Sequence, residues 1–112
     1  MTAPGLTADE INLIASVFER HPEVESATLF GSRAKGTHKP GSDVDLAVHG
    51  AVDDLAAEEI AAELDELPLP YRFDVKPLAL IELAALREHI ERVGIGIYSR
   101  AEARPELEKY TA

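Results

Sequence analysis

The chain has 112 residues and a formal net charge of -10, with 46% hydrophobic and 29% charged residues. That length suits one domain over residues 1–112, and the composition excludes wholesale disorder. The acidic balance excludes a broad phosphate-neutralising surface for nucleic acid, and the lack of cysteine excludes disulfide scaffolds, thiol nucleophiles and Cys-based zinc sites.

The first helix is expected near Thr7. Thr7-Ala8-Asp9-Glu10 has the capping-box spacing, and Ile11, Ile14, Val17 and Phe18 follow at helical intervals. Arg20 sits at the negative end of its dipole, and His21-Pro22 ends it. Ser26 to Phe30 reads as a short strand. It runs into a glycine-rich stretch, Gly31 to Ser42, that carries Arg33, Lys35, His38 and Lys39 and no acid. In so acidic a chain this is the one basic island, expected to be loop with at most a short helical turn.

Asp43 to Val48 alternates polar and apolar, so it reads as strand, with Val44, Leu46 and Val48 on one face and Asp43 and Asp45 on the other. A second helix follows Gly50. Asp53 and Asp54 lie at its start, and Val52, Leu55, Ile60, Leu64 and Leu67 are its expected buried stripe. Tyr71 to Lys76 is a third strand, with Asp74 on its polar face beside Arg72 and Lys76. A third helix is expected over Leu80 to Arg92, burying Leu83, Leu86 and Ile90 and ending at a left-handed Gly94. Ile95 to Tyr98 reads as a last strand. The charged tail from Ser99 onward is expected to fray or to dock on a partner. The fold class is α/β (α+β), a small mixed sheet flanked by helices.

Three carboxylates stand out. Asp43 and Asp45 lie on the same side of one strand, with Cβ atoms about 6–7 Å apart. Asp74 joins them if its strand is the neighbour. Three close carboxylates repel unless a cation joins them, and hard, oxygen-preferring Mg²⁺ suits that role. Two such ions about 3.5–4 Å apart clamp a transferring phosphorus. Gly31-Ser32 supplies the other half of a site, because glycine lets backbone N–H groups approach a phosphate and the Ser32 hydroxyl adds a donor. Arg33 and Lys35 stand by to screen phosphate charge. A DxD pair alone is most often two solvated acids. A Gly-Ser at a fixed offset before it and a strand-borne Asp after it reverse that balance.

Gly31-Ser32, ten residues, then Asp43-Val44-Asp45 forms the GS-x10-DxD signature, and the stretch GSRAKGTHKPGSDVDLAV closely resembles the minimal nucleotidyltransferase (MNT) proteins of prokaryotes, within the polymerase-beta-like nucleotidyltransferase superfamily. The resemblance covers most of the chain. These proteins are the antitoxin halves of HEPN–MNT toxin–antitoxin pairs.

The resemblance implies the minimal nucleotidyltransferase fold, with Asp43, Asp45 and Asp74 holding two Mg²⁺ and Gly31 and Ser32 holding the β/γ-phosphates of ATP. It also implies a type VII-like antitoxin, a protein adenylyltransferase that moves AMP from ATP to a tyrosine of a HEPN ribonuclease. The alternative is an antitoxin that occludes its toxin without catalysis. Larger superfamily members carry an acceptor-binding domain, so here a partner protein is expected to bring the acceptor.

Tyr71, Tyr98 and Tyr110 are packing residues by default, with self-modification as the sharper reading. His38 is a solvated loop residue by default. The acids of the second helix, Glu58, Glu59, Glu63, Asp65 and Glu66, form a solvated face or one turned to a basic partner. No apolar run approaches the ~20 residues of a membrane span, and Met1 to Leu6 lacks a secretory-signal pattern, so the expected compartment is the cytoplasm.

Overall fold

The structure is a computed structural model that describes residues 5–37 and 43–100. The expectations for His38, Lys39, Tyr110 and the tail beyond Arg100 lie outside the described residues.

α1 (Ala8–Glu19) starts where the capping box places it. The Glu10 N–H donates to Thr7 Oγ1 (3.2 Å), and the Thr7 N–H donates to the Glu10 carboxylate (2.9 Å). Ile11, Ile14, Val17 and Phe18 are buried. β1 (Val24–Phe30) begins two residues earlier than expected and leads into a five-residue helix, α2 (Gly31–Lys35). β2 (Val44–Gly50) is followed by α3 (Asp54–Asp65), whose cap is Asp53, accepting from the Ala56 N–H at 2.8 Å. β3 (Phe73–Pro77) continues into a 3-10 turn over Leu78–Leu80. α4 (Ala84–Val93) and β4 (Ile95–Ser99) follow.

The strands form one mixed sheet in the order β3-β2-β1-β4. β1 is antiparallel to both β2 and β4, whereas β2 and β3 are parallel. The parallel pair requires a crossover, and α3 supplies it. Strand alternation gives the sheet two different faces. Val44, Leu46 and Val48 join Val24, Ala27, Leu29 and Phe73 in the main core, which α1 covers with Ile14, Val17 and Phe18 and α3 covers with Ala57, Ile60 and Leu64. Phe30 and Ala47 belong to a second, smaller cluster with Leu78 and Ile90, so α4 covers part of the other face. Residues between the main-core positions of β2 and β3, Asp45 and Asp74 among them, face this less covered side.

Arg100, just past β4, ties the two ends of the chain's first unit together. Its Nε donates to the Val24 carbonyl (3.0 Å), and its Nη2 donates to the carbonyls of Phe18 (3.1 Å) and His21 (2.9 Å). One of those acceptors, the Phe18 carbonyl, lies in the last turn of α1 and also accepts from the His21 N–H (3.0 Å). The outer edge of β3 is blunted in two ways. The Phe73 N–H donates to Asp65 Oδ1 (3.2 Å), and Pro77 has no N–H to offer a further strand.

Several expectations need correction. Leu55 is 65% exposed. The buried stripe of α3 is Ala57, Ile60 and Leu64, and Leu55 lies about 200° around the helix from Ala57. The last helix starts at Ala84 rather than Leu80, because Leu78–Leu80 closes as a 3-10 turn. Leu83 then occupies the N-cap position and is 67% exposed. Leu86 is half-buried, and Ile90 alone of the predicted three is fully buried. Gly94 is extended (φ -64, ψ 146) rather than left-handed. A Cβ there would lie 2.2 Å from the Ile90 carbonyl and 2.5 Å from Thr28 Cγ2, so glycine serves close approach. Tyr71 falls outside β3.

Candidate active site

The end of β1 and the beginnings of β2 and β3 lie side by side. The register pairs Phe30 with Asp45 and Asp45 with Asp74. The Val44 N–H donates to the Arg72 carbonyl (2.9 Å), locking this register at the first residue of β2. Residues paired across neighbouring strands share a face, and the strands lie about 4.8 Å apart. Asp45 and Asp74 are therefore neighbours on the less covered face. Asp43 stands two residues before Asp45 and is exposed at the mouth.

The glycine at the strand–helix junction is bound to this arrangement. Gly31 takes φ +76, and a Cβ there would sit 2.4 Å from Asp45 Oδ2. The Asp45 carboxylate fills the space that a side chain would need. Ser32 follows in the first turn of α2 and is half-buried. α2 closes at Gly36 (φ 76), with the Gly36 N–H on the Arg33 carbonyl (3.1 Å) and the Thr37 N–H on the Ser32 carbonyl (3.0 Å).

Burial pushes the Asp45 carboxyl above its ordinary value, the charges of Asp74 and Asp43 push it further, and Lys76 pulls the other way. Lys76 also pairs with Asp74, Nζ to Oδ2 at 3.3 Å. The like charges around Asp45 are of the kind that a cation would relieve, and carboxylate oxygens are the donors Mg²⁺ prefers. The donor chemistry of Asp43, Asp45 and Asp74 thus fits a divalent ion. Among the described residues, no three His, Asp or Glu side chains are grouped closely enough to hold a metal ion between them.

Arg33 is drawn inward. It is 3% exposed, and its Nη1 donates to the Gly5 carbonyl (2.8 Å) while its guanidinium lies 4.5 Å from the centre of the Tyr71 ring. The Tyr71 hydroxyl in turn donates to Glu10 Oε2 (2.8 Å). Arg33 thus fastens α2 to the segment before α1 and to the segment before β3. Lys35 is exposed in the last turn of α2. Sequence reasoning missed the Arg33–Tyr71–Glu10 network and the Arg100 clasp. For the first, the signal available was that Glu10 and Tyr71 are both amphipathic neighbours of element starts, which fixes no contact. Lys76 was visible as an alternate-position neighbour of Asp74.

The family model for polymerase beta, nucleotidyltransferase, matches residues 12–103. None of the curated proteins matches the chain. Solved structures do. A crystal structure of a toxin–antitoxin with AMP-PNP contains a chain 23% identical, with a TM-score of 0.68 over 95% of this chain and 88% of that one. The tri-AMPylated Shewanella oneidensis HEPN toxin in complex with MNT antitoxin gives 22% identity and a TM-score of 0.63, over 91% of this chain and 84% of the other. A chain classed as a minimal nucleotidyltransferase is 27% identical with a TM-score of 0.58, over 78% and 88%. What the first two share with this chain is fold.

Proposed function

This chain belongs to the polymerase beta nucleotidyltransferase family, and from that premise we propose that it is an antitoxin that transfers AMP from ATP to a tyrosine of a HEPN ribonuclease toxin. The observation that carries the reading is the pairing of Asp45 with Asp74 across parallel strands, with Gly31 pressed against the Asp45 carboxylate. Similar folds occur in a toxin–antitoxin with AMP-PNP and in an MNT antitoxin bound to an AMPylated HEPN toxin, and these support the choice of nucleotide and partner. The reaction belongs in the cytoplasm, where ATP and the toxin meet. Among the described residues no helix is long and apolar enough to cross a membrane.

In this reading Asp43, Asp45 and Asp74 hold two Mg²⁺, and Gly31 and Ser32 seat the β/γ-phosphates. Bound Mg²⁺ supplies positive charge that neutralises the triphosphate. The tyrosine oxygen attacks the α-phosphorus in line. A new O–P bond forms, the bond from the α-phosphorus to the bridging oxygen breaks, and pyrophosphate leaves. The phenolic proton passes to the Asp74 carboxylate. The protein's contribution is position and fixed charge rather than a covalent intermediate. Arg33 acts at one remove, by holding α2 and hence the Gly31–Ser32 turn. Lys35, exposed beside that turn, is a cation available to phosphate or partner.

The test is to incubate the protein with ATP, Mg²⁺ and the product of the adjacent gene, and to weigh the intact partner. A gain of one or more AMP units is expected, lost with Asp43→Asn. Neutralisation with no gain in mass, and equal neutralisation by Asp43→Asn, would establish occlusion instead.

A further inference from the structure

We propose that Lys76 is the resident counter-ion of the aspartate trio, a positioning residue that holds Asp74 before metal arrives and thereby sets how tightly the site takes a divalent cation. This rests on the reading that Asp43, Asp45 and Asp74 bind metal. Lys76 is two residues beyond Asp74 on β3, so both side chains leave the same side of the strand. Its Nζ lies 3.3 Å from Asp74 Oδ2. In the register Lys76 stands beside Ala47, the next residue on that face of β2 after Asp45. The small Ala47 side chain places no acid or base between the ammonium and Asp45. The charge of Lys76 reaches Asp45 as well, where it opposes the combined push of burial, Asp74 and Asp43.

An ammonium on a four-carbon stem is a point charge that swings, unlike a planar guanidinium committed to one geometry. The pair is about half exposed on both sides, with side chains 41% and 46% accessible. An exposed pair of this kind contributes little to stability and yields at small cost. Those properties suit a placeholder. Lys76 keeps Asp74 turned toward the trio, and a cation of higher charge displaces it. The site then pays for specificity against monovalent ions with some of its divalent affinity.

The experiment measures Mn²⁺ binding by calorimetry and by the electron spin resonance of free Mn²⁺, at low ionic strength, with neither nucleotide nor toxin present. Lys76→Gln is expected to tighten Mn²⁺ binding by about three- to tenfold, the effect of one screened charge beside a divalent ion. The melting temperature of the metal-free protein should change little, as an exposed pair implies. Lys76→Arg is expected to stay within twofold of the parent on both measures. Unchanged Mn²⁺ affinity in Lys76→Gln, while Asp45→Asn abolishes binding, would overturn the role of Lys76 and leave the metal-binding reading intact. Weaker Mn²⁺ binding would overturn it too, since Lys76 would then be helping rather than competing. Should the parent protein bind no Mn²⁺ at all, this inference and the metal-dependent reading beneath it would fall together.

Discussion

At Gly31 two independent constraints coincide. The backbone is left-handed, which costs a residue with a Cβ roughly 1–2 kcal/mol, and the place of that Cβ is already taken by Asp45 Oδ2. Gly31→Ala should therefore do more than strain the turn. It should push the Asp45 carboxylate off its position, and nucleotidyl transfer should fall at least about tenfold, as expected for an ångström-scale misplacement of a reacting group. Transfer assays alongside urea denaturation check both effects, and full activity in the alanine variant would mean that Asp45 has room the structure does not show.

Asp45 itself makes the opposite trade. Its carboxyl is raised above the ordinary 3.8 by burial and by its acidic neighbours. A raised acid binds its proton more readily in the folded state, so its ionised form costs folding free energy above that pKa. The cost vanishes as pH falls through the folded pKa toward 3.8. Asp45→Asn is expected to abolish transfer and yet to melt a few degrees higher near pH 7.5 without metal. The difference should close as the pH is lowered toward 4. A melting series over that range checks it, and an equal or lower melting point at neutral pH would refute the sign.

Among elements, the clasp at Arg100 joins parts that are far apart in sequence. One guanidinium satisfies carbonyls at the end of α1, in the turn after it and at the start of β1. Arg100→Ala leaves those acceptors without their charged donor, a loss of about 1–3 kcal/mol. Equilibrium urea unfolding should show it as a lower midpoint with an unchanged slope. Arg100→Lys should recover only part, because one ammonium cannot present the same fork.

Arg100 also illustrates what sequence reading reaches. Local rules placed the elements, because caps and alternation act within a few residues. Thr7 with Glu10 marked the start of α1, and the alternation of Val44, Asp45 and Leu46 marked β2 and its buried face. The facing of Asp45 was legible for the same reason. The nearness of Asp74 hung on its strand being the neighbour of β2, a condition that the parallel pairing of β2 with β3 meets. What stayed hidden depends on distant partners. The inward turn of Arg33 is set by Tyr71 and Gly5, and part of the crowding at Gly94 comes from Thr28 on β1. No window of sequence around Arg33 contains Tyr71 or Gly5, and none around Gly94 contains Thr28.

Over the whole molecule the charge of -10 is unevenly placed. α1 and α3 cover the same face of the sheet, and neither contains a single Lys or Arg between its ends. Glu58, Glu59, Asp65 and Asp54 are exposed there. One charge distribution then has two consequences of opposite sign in salt. Self-repulsion opposes the compact state, so screening it should raise the melting temperature of the free protein. Attraction to a ribonuclease, whose own surface must be cationic to hold RNA, speeds encounter and is lost on screening. Between about 50 mM and 500 mM NaCl, where the screening length falls well below the size of the domain, the association rate with the toxin is expected to drop by about tenfold. Stopped-flow mixing measures that rate, and Glu58→Lys with Glu59→Lys should reproduce the drop at low salt while leaving transfer at saturating toxin unchanged. A rate indifferent to salt, alongside a melting temperature that still rises, would mean that the acidic face burdens folding without serving recognition.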